Sequence, residues 1–172
     1  MSKHASSKAS LSLPVAKAKR SQFSISTARS TLEAYEKAQG TFQAPIAIEK
    51  IAVWTGFQVV FLSQVPHDFS ALVSLNDKLI GINARHHHHR QRFSIGHELG
   101  HILLKHPPES RCSAKEVALF NAEADLCASE LLIPKQLIDE HIRKTQNPVE
   151  LAKMFDVSPE AMSRRIEFHK KG

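Results

Sequence analysis

Arg92-Phe-Ser-Ile-Gly-His-Glu-Leu-Gly-His-Ile-Leu-Leu104 is the stretch from which the fold of this chain is best predicted. It contains an H-E-x-x-H motif formed by His97, Glu98 and His101. Residues four positions apart lie on one face of a helix, one turn from each other. The motif therefore predicts that His97 and His101 bind one metal ion. Glu98 is expected to reach a metal-bound water without being a ligand, as in zinc peptidases.

The residues around the motif favour a buried metal-binding helix over the alternative, two surface histidines on an ordinary helix. Four of them are uncharged: Ile95, Leu99, Gly100 and Ile102. The helix is expected to begin at Arg92 or Ser94 and to end before Pro107, since proline interrupts helical hydrogen bonding.

At 172 residues, the chain has the length of one compact domain with a tail, or of a domain with a small helical module. No apolar run approaches the ~20 residues of a membrane span, and the N-terminus lacks the apolar core of a signal peptide. The two cysteines, Cys112 and Cys127, indicate reduced thiols and a cytoplasmic protein. A net charge of +6 permits an acidic partner or nucleic acid without requiring either.

Residues 1–26 are rich in Ser, Lys and Ala, contain no acidic residue and show no sustained apolar period. They are predicted to form a disordered basic tail. An organellar transit peptide and a nucleic-acid-binding arm are the alternatives.

The remaining pattern is mostly helical with three short strands, which predicts an α+β fold. Helices are expected at residues 27–39, 45–54, 113–133, 134–143 and 148–169, with a break in the last at 156–158. Strands are expected at residues 57–62, 71–75 and 78–83. The loop at 85–90 holds the run His86–His89. Such a run binds stray metal without a fixed geometry, so it is interpreted as a solvated loop or an artificial insertion.

A catalytic zinc site requires a third protein ligand and an open position for water. His106 and His141 follow the motif along the chain. The metzincin pattern is excluded, because Leu104 and Pro107 stand where that class has glycine and histidine.

Glu123 is the better candidate for the third ligand. It lies at the edge of an apolar stripe with helical spacing, made by Val117, Phe120, Ala124, Cys127, Ala128 and Leu131. None of its neighbours three or four positions away is basic. A carboxylate in apolar surroundings is costly without a cation, which a metal ion provides. The alternative is a glutamate that extends to water. Asp125 and Glu130 are weaker candidates, and either is suited to support a ligand histidine.

The chain resembles the ImmA/IrrE family of metallo-endopeptidases. The matching stretches are Ile80–Asn83, Arg90–Leu104, Glu123–Pro134 and the segment from Leu151 onward. Cys127 departs from the family pattern, which usually has phenylalanine there, and residues 1–26 lie outside it.

The resemblance implies a zincin-like metallopeptidase domain, placed here at residues 27–145. It also implies one zinc ion per chain bound by His97, His101 and Glu123, with Glu98 as the catalytic base. Members of the family act on regulatory proteins and often cleave a helix-turn-helix repressor. The expected function is therefore a zinc-dependent endopeptidase that cleaves a repressor or an antitoxin-type partner.

Substrate contacts are expected on a strand. The strand Leu79–Asn83 is predicted to offer a free edge to an extended peptide, which makes Ile82 and Asn83 weak candidates for substrate binding. Tyr35, His141 and Arg143 are candidates for an additional oxyanion donor.

Residues 146–172 support a rival interpretation. The segment from Leu151 to Ile166 has the rhythm of a DNA-binding helix-turn-helix. Four basic residues suit phosphate contacts: Arg164, Arg165, Lys170 and Lys171. The chain would then be a transcription regulator, or a toxin–antitoxin or phage-switch component. The favoured interpretation is a helical pair packed on the peptidase domain, because the same segment accompanies the peptidase motif in the family.

Overall fold

The computed structural model of the protein describes residues 13–171 and contains, within that range, seven α-helices and a three-stranded sheet. In chain order the elements are α1 (Leu13–Gln39), α2 (Ile48–Trp54), β1 (Gln58–Leu62), β2 (Ala71–Ser74), β3 (Leu79–Asn83), α3 (His88–Leu103), a 3-10 turn (Glu109–Arg111), α4 (Ala114–Leu132), α5 (Lys135–His141), α6 (Pro148–Phe155) and α7 (Pro159–Lys171). The expected α+β class is confirmed. None of the helices in this range combines the length and the apolar character that a membrane crossing requires.

Helix α1 begins much earlier than its local sequence suggests. The disordered tail expected over residues 1–26 is wrong for residues 13–26, which are helical, and residues 1–12 lie outside the described part of the chain. Contacts with other elements accompany the helix in this segment, since Ser24 is buried and Arg20 pairs with Glu123. Most helical stability in proteins comes from such packing and not from propensity. Composition alone therefore did not predict that this segment is helical.

Strand β3 lies in the centre of the sheet, parallel to β1 on one side and antiparallel to β2 on the other. The predicted free edge on Leu79–Asn83 is therefore wrong. The predicted substrate contacts at Ile82 and Asn83 are wrong as well, because both residues are fully buried. The Asn83 amide donates instead to the backbone carbonyls of Pro66 and Phe69, at 3.1 and 2.8 Å. Within the described residues, the second edge of β2 has no strand partner.

Helices α3 and α4 pack closely because two glycines of α3 face α4. A Cβ atom on Gly100 would lie 3.0 Å from the carbonyl oxygen of Ala124, and one on Gly96 would lie 3.2 Å from the Cβ atom of Ala128. Side chains larger than hydrogen at these positions would push the helices apart. The close packing brings the histidines of α3 against the side chains of α4.

Glu130 is a buried hub that connects three helices. Its carboxylate accepts hydrogen bonds from Arg29 of α1 at 3.0 Å, from Arg165 of α7 at 2.6 Å and from the backbone N–H of Lys135 at 2.9 Å. Burial raises the pKa of Glu130, but these hydrogen bonds and positive charges outweigh burial and leave the pKa below its usual value. Glu130 is thus a structural residue, and Arg165 is buried with it and not free to contact a phosphate.

Helices α6 and α7 form a pair that packs on the rest of the domain. Leu151, Phe155 and Met162 are buried in the same core cluster as residues of the sheet and of α1 to α4. Asn147 caps α6 by accepting a hydrogen bond from the N–H of Val149. The core of the protein therefore extends into the segment that resembles a helix-turn-helix.

The histidine run is part of the folded structure. Helix α3 begins inside it, at His88. His88 and His89 contact the carboxylate of Asp156, which follows α6, at 2.7 and 3.2 Å. His86 is 7% exposed, and its Nε2 atom lies 2.9 Å from the carbonyl oxygen of His67. The expected solvated loop is wrong for His86, His88 and His89, whose partners are distant in sequence. His87 is exposed, as expected for a solvated loop.

Candidate metal centre

Adjacent turns of α3 bring two imidazole rings together. The Nε2 atoms of His97 and His101 lie 3.0 Å apart, and the ring centroids lie 4.7 Å apart. The four-residue spacing of the motif predicted this arrangement. Both rings and Glu98 line one cleft, which has a volume of roughly 1040 Å³.

Asp125 of α4 orients the first of these rings. Its Oδ1 atom lies 2.8 Å from Nδ1 of His97. Because an ionised carboxylate only accepts, this contact places a proton on Nδ1 and turns the Nε2 lone pair toward His101. Asn121, one turn earlier on α4, lines the same cleft as both rings. Sequence reasoning considered Asp125 as a support for a histidine but missed Asn121, because no spacing rule connects it to a motif on another helix.

His106 continues the series of contacts on the far side of His101. Its Nδ1 atom lies 3.0 Å from Nδ1 of His101, and its Nε2 atom lies 3.0 Å from Oε2 of Glu123. The ring is stacked on Phe120, with centroids 4.5 Å apart. His106 was weighed as a third ligand; here it connects His101 to Glu123.

Glu123, the predicted third ligand, is engaged by a different cation. Its carboxylate accepts hydrogen bonds from the guanidinium of Arg20, from Nε to Oε1 and from Nη2 to Oε2, the second at 3.0 Å. Burial raises the pKa of Glu123, but Arg20 and then His106 outweigh burial and leave it below its usual value. The expectation that Glu123 lacks a cationic partner is therefore wrong. Arg20 is 103 positions away, beyond the reach of any helical spacing.

The three predicted ligands do not converge on one point in this structure. Glu123 is two positions from both Asn121 and Asp125, which corresponds to about 200° around a helix. It therefore lies on the side of α4 that meets α1. In the described part of the chain, no group of three His, Cys, Asp or Glu side chains is arranged to hold a metal ion.

With all three imidazoles neutral, the count of protons leaves room for a cation at the histidine pair. Four contacts in series connect Asp125, His97, His101, His106 and Glu123. Each contact requires one proton, but three neutral imidazoles carry only three. A cation shared by the Nε2 atoms of His97 and His101 replaces the proton of that contact, and three protons then satisfy the other three contacts. Imidazole nitrogens are suitable ligands for a zinc-type ion.

The pKa values of the site reflect burial and neighbouring charges. Burial, followed by the charges of His97 and His106, lowers the pKa of His101 to about 4, so this ring is neutral at neutral pH. Burial opposes protonation of His97, but Asp125 and then Glu98 outweigh it and raise the pKa of His97. Burial also raises the pKa of Glu98, against the opposing charge of His97. A carboxylate with a raised pKa is better matched to general-base catalysis near neutral pH.

The edge of β2 that has no strand partner among the described residues borders the same cleft. Residues 71–75 line it together with the two histidines and Glu98. Leu72 and Leu75 are 45% and 52% exposed, so this wall of the cleft is partly apolar. The cleft therefore combines a strand edge, apolar side chains and the histidine pair.

The expected oxyanion donors lie elsewhere. Tyr35, His141 and Arg143 are not among the described residues that line the cleft. Tyr35 and His141 instead pack edge-to-face on other aromatic rings. Asn121 lines the cleft beside the histidines and is the better candidate.

Comparison with known proteins identifies a family and solved structures of similar fold. The family model of the IrrE N-terminal-like domain, a domain of M78 peptidases, matches residues 55–167. A solved structure described as a Mycobacterium tuberculosis transcriptional regulator is similar, with a TM-score of 0.63 and 12% identity over 87% of this chain and 50% of that chain. This likeness shows a shared fold, and the chain spans half the length of that protein. No curated protein matches the sequence.

Proposed function

The chain belongs to the IrrE N-terminal-like domain family of M78 peptidases, and we propose that it is a zinc-dependent endopeptidase that cleaves a regulatory protein. One observation carries the proposal. The Nε2 atoms of His97 and His101 face each other at 3.0 Å, beside Glu98, in a cleft bordered by an unpaired strand edge. Peptide hydrolysis requires a nucleophile, a base and a place for an extended peptide.

His97 and His101 would hold zinc through their Nε2 atoms, and Glu123 is the proposed third ligand. Zinc, when bound, lowers the pKa of its water to about 7 and polarises the scissile carbonyl. Asp125 accepts a hydrogen bond from the Nδ1–H group of His97, which leaves the Nε2 lone pair of that ring available to a metal ion. In the described part of the chain, the carboxylate of Glu123 accepts hydrogen bonds from Arg20 and does not converge with the two histidines.

Glu98 is the proposed general base. It follows His97 directly and lines the cleft, so its carboxylate faces the space where water and substrate meet. It accepts the proton of the attacking water on a carboxylate oxygen and then delivers this proton to the leaving amine. The raised pKa of Glu98 favours the first of these transfers, because a more basic carboxylate accepts a proton from water more readily.

The substrate is proposed to lie along β2. An extended peptide adds to an open strand edge through main-chain hydrogen bonds, and this mode of binding accepts many sequences. Leu72 and Leu75 offer apolar contacts to alternate side chains. A regulatory substrate, such as a repressor, agrees with family membership and with the description of the structural relative as a transcriptional regulator.

Direct DNA binding by α6 and α7 is the second candidate, and the structure favours it less. Arg165 is occupied by Glu130, and Arg164 pairs with Glu160. Leu151 and Phe155 are buried in the common core, so the pair serves the packing of the domain. Binding through basic residues would fall steeply with salt concentration, which makes this candidate easy to recognise.

Incubation of the zinc-loaded protein with a proteome-derived peptide library tests the proposed function. We expect new peptide termini, detected by mass spectrometry, that disappear on addition of a chelator and in the variant Glu98→Gln. The absence of new termini, together with tight salt-sensitive binding to duplex DNA, would support the regulator instead.

A further inference from the structure

We propose that the cleft selects peptide segments with acidic side chains near the scissile bond, and that Lys78, Lys105 and Arg111 recognise these side chains. The proposal rests on the proposed function and adds the chemical class of its substrate. The three residues form the basic rim of the cleft.

The basic rim comes from three separate parts of the chain that converge on one cleft. Lys78 directly precedes β3, Lys105 follows the end of α3, and Arg111 is the last residue of the 3-10 turn. All three are exposed and line the cleft that also contains His97 and His101. A peptide along the edge of β2 therefore lies in a cleft that receives positive charges from several elements.

The carboxylates of the cleft do not neutralise the basic rim. Within the described part of the chain, none of the three residues forms an ion pair with a carboxylate. Their three positive charges stand against two carboxylates in the cleft, those of Glu98 and Glu109. The Nζ atom of Lys78 lies 4.9 Å from the ring centroid of Phe57, which lines the same cleft. A divalent metal ion at the histidine pair would add to the positive charge, so acidic side chains complement this cleft.

The positive charge continues into a neighbouring cavity of roughly 450 Å³. Lys105 and His106 border both the cleft and this cavity. Lys19 and Arg20 also line the cavity, and the charge of Arg20 is balanced by Glu123. A side chain in either space can therefore reach Lys105.

Both lysines of the basic rim have a backbone conformation that lysine rarely adopts. The φ angle is 55° at Lys78 and 56° at Lys105, in the left-handed region where only glycine has no steric cost. Lys105 follows the C-cap residue Leu104, a position at which helices often have glycine. Residues held in this conformation cluster at active sites and ligand-binding sites. The turns themselves do not require lysine, whereas contact with an acidic ligand does account for it.

Asp156 provides a comparison within the same chain. It is the third described residue other than glycine with a positive φ angle, 52°. Its carboxylate contacts His88, His89 and Arg92, so its charge is satisfied inside the protein. The two lysines have no such partner among the described residues, and we infer that the substrate supplies it.

Peptide affinity tests the basic rim without requiring hydrolysis. The reference protein is the full chain, loaded with zinc and carrying Glu98→Gln so that the peptides stay intact. The probes are fluorescein-labelled decapeptides with two central leucines and flanks in which serine alternates with glutamate, glutamine or lysine. Fluorescence anisotropy at low ionic strength should show that the glutamate peptide binds about tenfold more tightly than the glutamine peptide, the scale of two exposed ion pairs. The lysine peptide should bind most weakly.

Substitutions that suit the backbone separate the charge from the fold. Asparagine tolerates the left-handed conformation, so Lys78→Asn and Lys105→Asn remove charge without adding strain. Combined with Arg111→Gln, they should reduce the difference between the glutamate and glutamine peptides to less than about twofold. The control is Lys115→Asn, which removes an exposed lysine outside the cleft and the cavity and should keep the preference of the reference protein. Thermal denaturation shows whether each variant is folded.

The sites of cleavage provide a second readout. In the peptide library, Asp and Glu should be enriched near the bonds that the parent protein cleaves, and the triple variant should lose this enrichment. The inference is overturned if the reference protein binds glutamate and glutamine peptides equally, if the folded triple variant keeps the preference, or if none of the peptides binds. Tighter binding of a single-stranded oligonucleotide through the same three residues would also overturn it, in favour of a nucleic-acid site.

Failure of the proposed function has a different signature. If the glutamate peptide is preferred but the parent protein cleaves no peptide, the proposed hydrolysis is wrong and the preference for acidic side chains stands. If the parent protein cleaves peptides without any enrichment of Asp or Glu, the proposed function stands and the basic rim does not select the substrate.

Discussion

The Oδ1 atom of Asp125 lies 2.8 Å from the Nδ1 atom of His97 and thereby sets which nitrogen of that ring faces His101. Asp125→Ala removes the acceptor and frees the ring to change tautomer. Loss of such a supporting carboxylate typically lowers metal affinity by about 10–100-fold. Chelator competition should show this loss for Asp125→Ala, with Glu167→Ala, an exposed carboxylate on α7, as the control. Equal zinc affinity in parent and Asp125→Ala would mean that Asp125 does not orient His97.

Glu130 should make a large and pH-dependent contribution to the free energy of unfolding. Glu130→Ala leaves the buried charge of Arg165 without its carboxylate partner, and such a loss costs about 3–5 kcal/mol. Urea denaturation at neutral pH measures this decrease in the free energy of unfolding. Glu160→Ala, which removes an exposed partner of Arg164, should change stability by less than about 0.5 kcal/mol.

The sign of the pH dependence follows from the lowered pKa of Glu130 in the folded protein. An unfolded glutamate titrates near a pKa of about 4.3. The stability that Glu130 provides is therefore complete above that value and is lost as pH falls through the lower, folded pKa. We expect the difference between parent and Glu130→Gln to shrink in acid. A difference that grows in acid would contradict the assignment of Glu130 as an ionised hub.

Gly100 should be the more sensitive of the two glycines in the packing of α3 on α4. In Gly100→Ala the new methyl group meets the backbone of Ala124, whose carbonyl oxygen lies 3.0 Å from the added Cβ atom. Overpacking of this kind costs about 1–3 kcal/mol. Gly96→Ala meets a side-chain methyl at 3.2 Å and should cost less. Thermal denaturation of both variants checks this order, and the opposite order would show that the helix contact lies nearer Gly96.

Sequence spacing predicted the parts of the site that belong to one helix. The i, i+4 rule was sufficient for His97 and His101, since both lie on α3 and need no knowledge of the rest of the fold. Local signals also placed the end of α1 at Gln39, before Gly40, and the start of α4 near Ser113. In the structure Ser113 precedes α4 and forms a capping box with Glu116.

Contacts between elements could not be predicted in the same way. Helical spacing identifies only those neighbours of Glu123 that lie on its own helix. Its partner, Arg20, lies on α1. Composition described residues 13–26 as a tail because their helix is held by tertiary contacts. The hydrophobic periodicity of the sequence does not predict the order of the strands in the sheet either. β3 follows β2 directly in sequence yet also pairs with β1, which leaves Ile82 buried and β2 at the edge.

The substitution Glu98→Gln tests the proposed general-base role of Glu98. Glutamine keeps the size and the hydrogen-bonding reach of glutamate but cannot accept a proton, and the proposed ligand set does not include Glu98. The measurement is the rate at which new peptide termini appear in the peptide library, with the zinc content of each protein determined in parallel. We expect Glu98→Gln to be folded and zinc-loaded, with a cleavage rate lower by about 10²–10⁴-fold, the usual range for general-base catalysis. A parental cleavage rate that Glu98→Gln fully retains would contradict it.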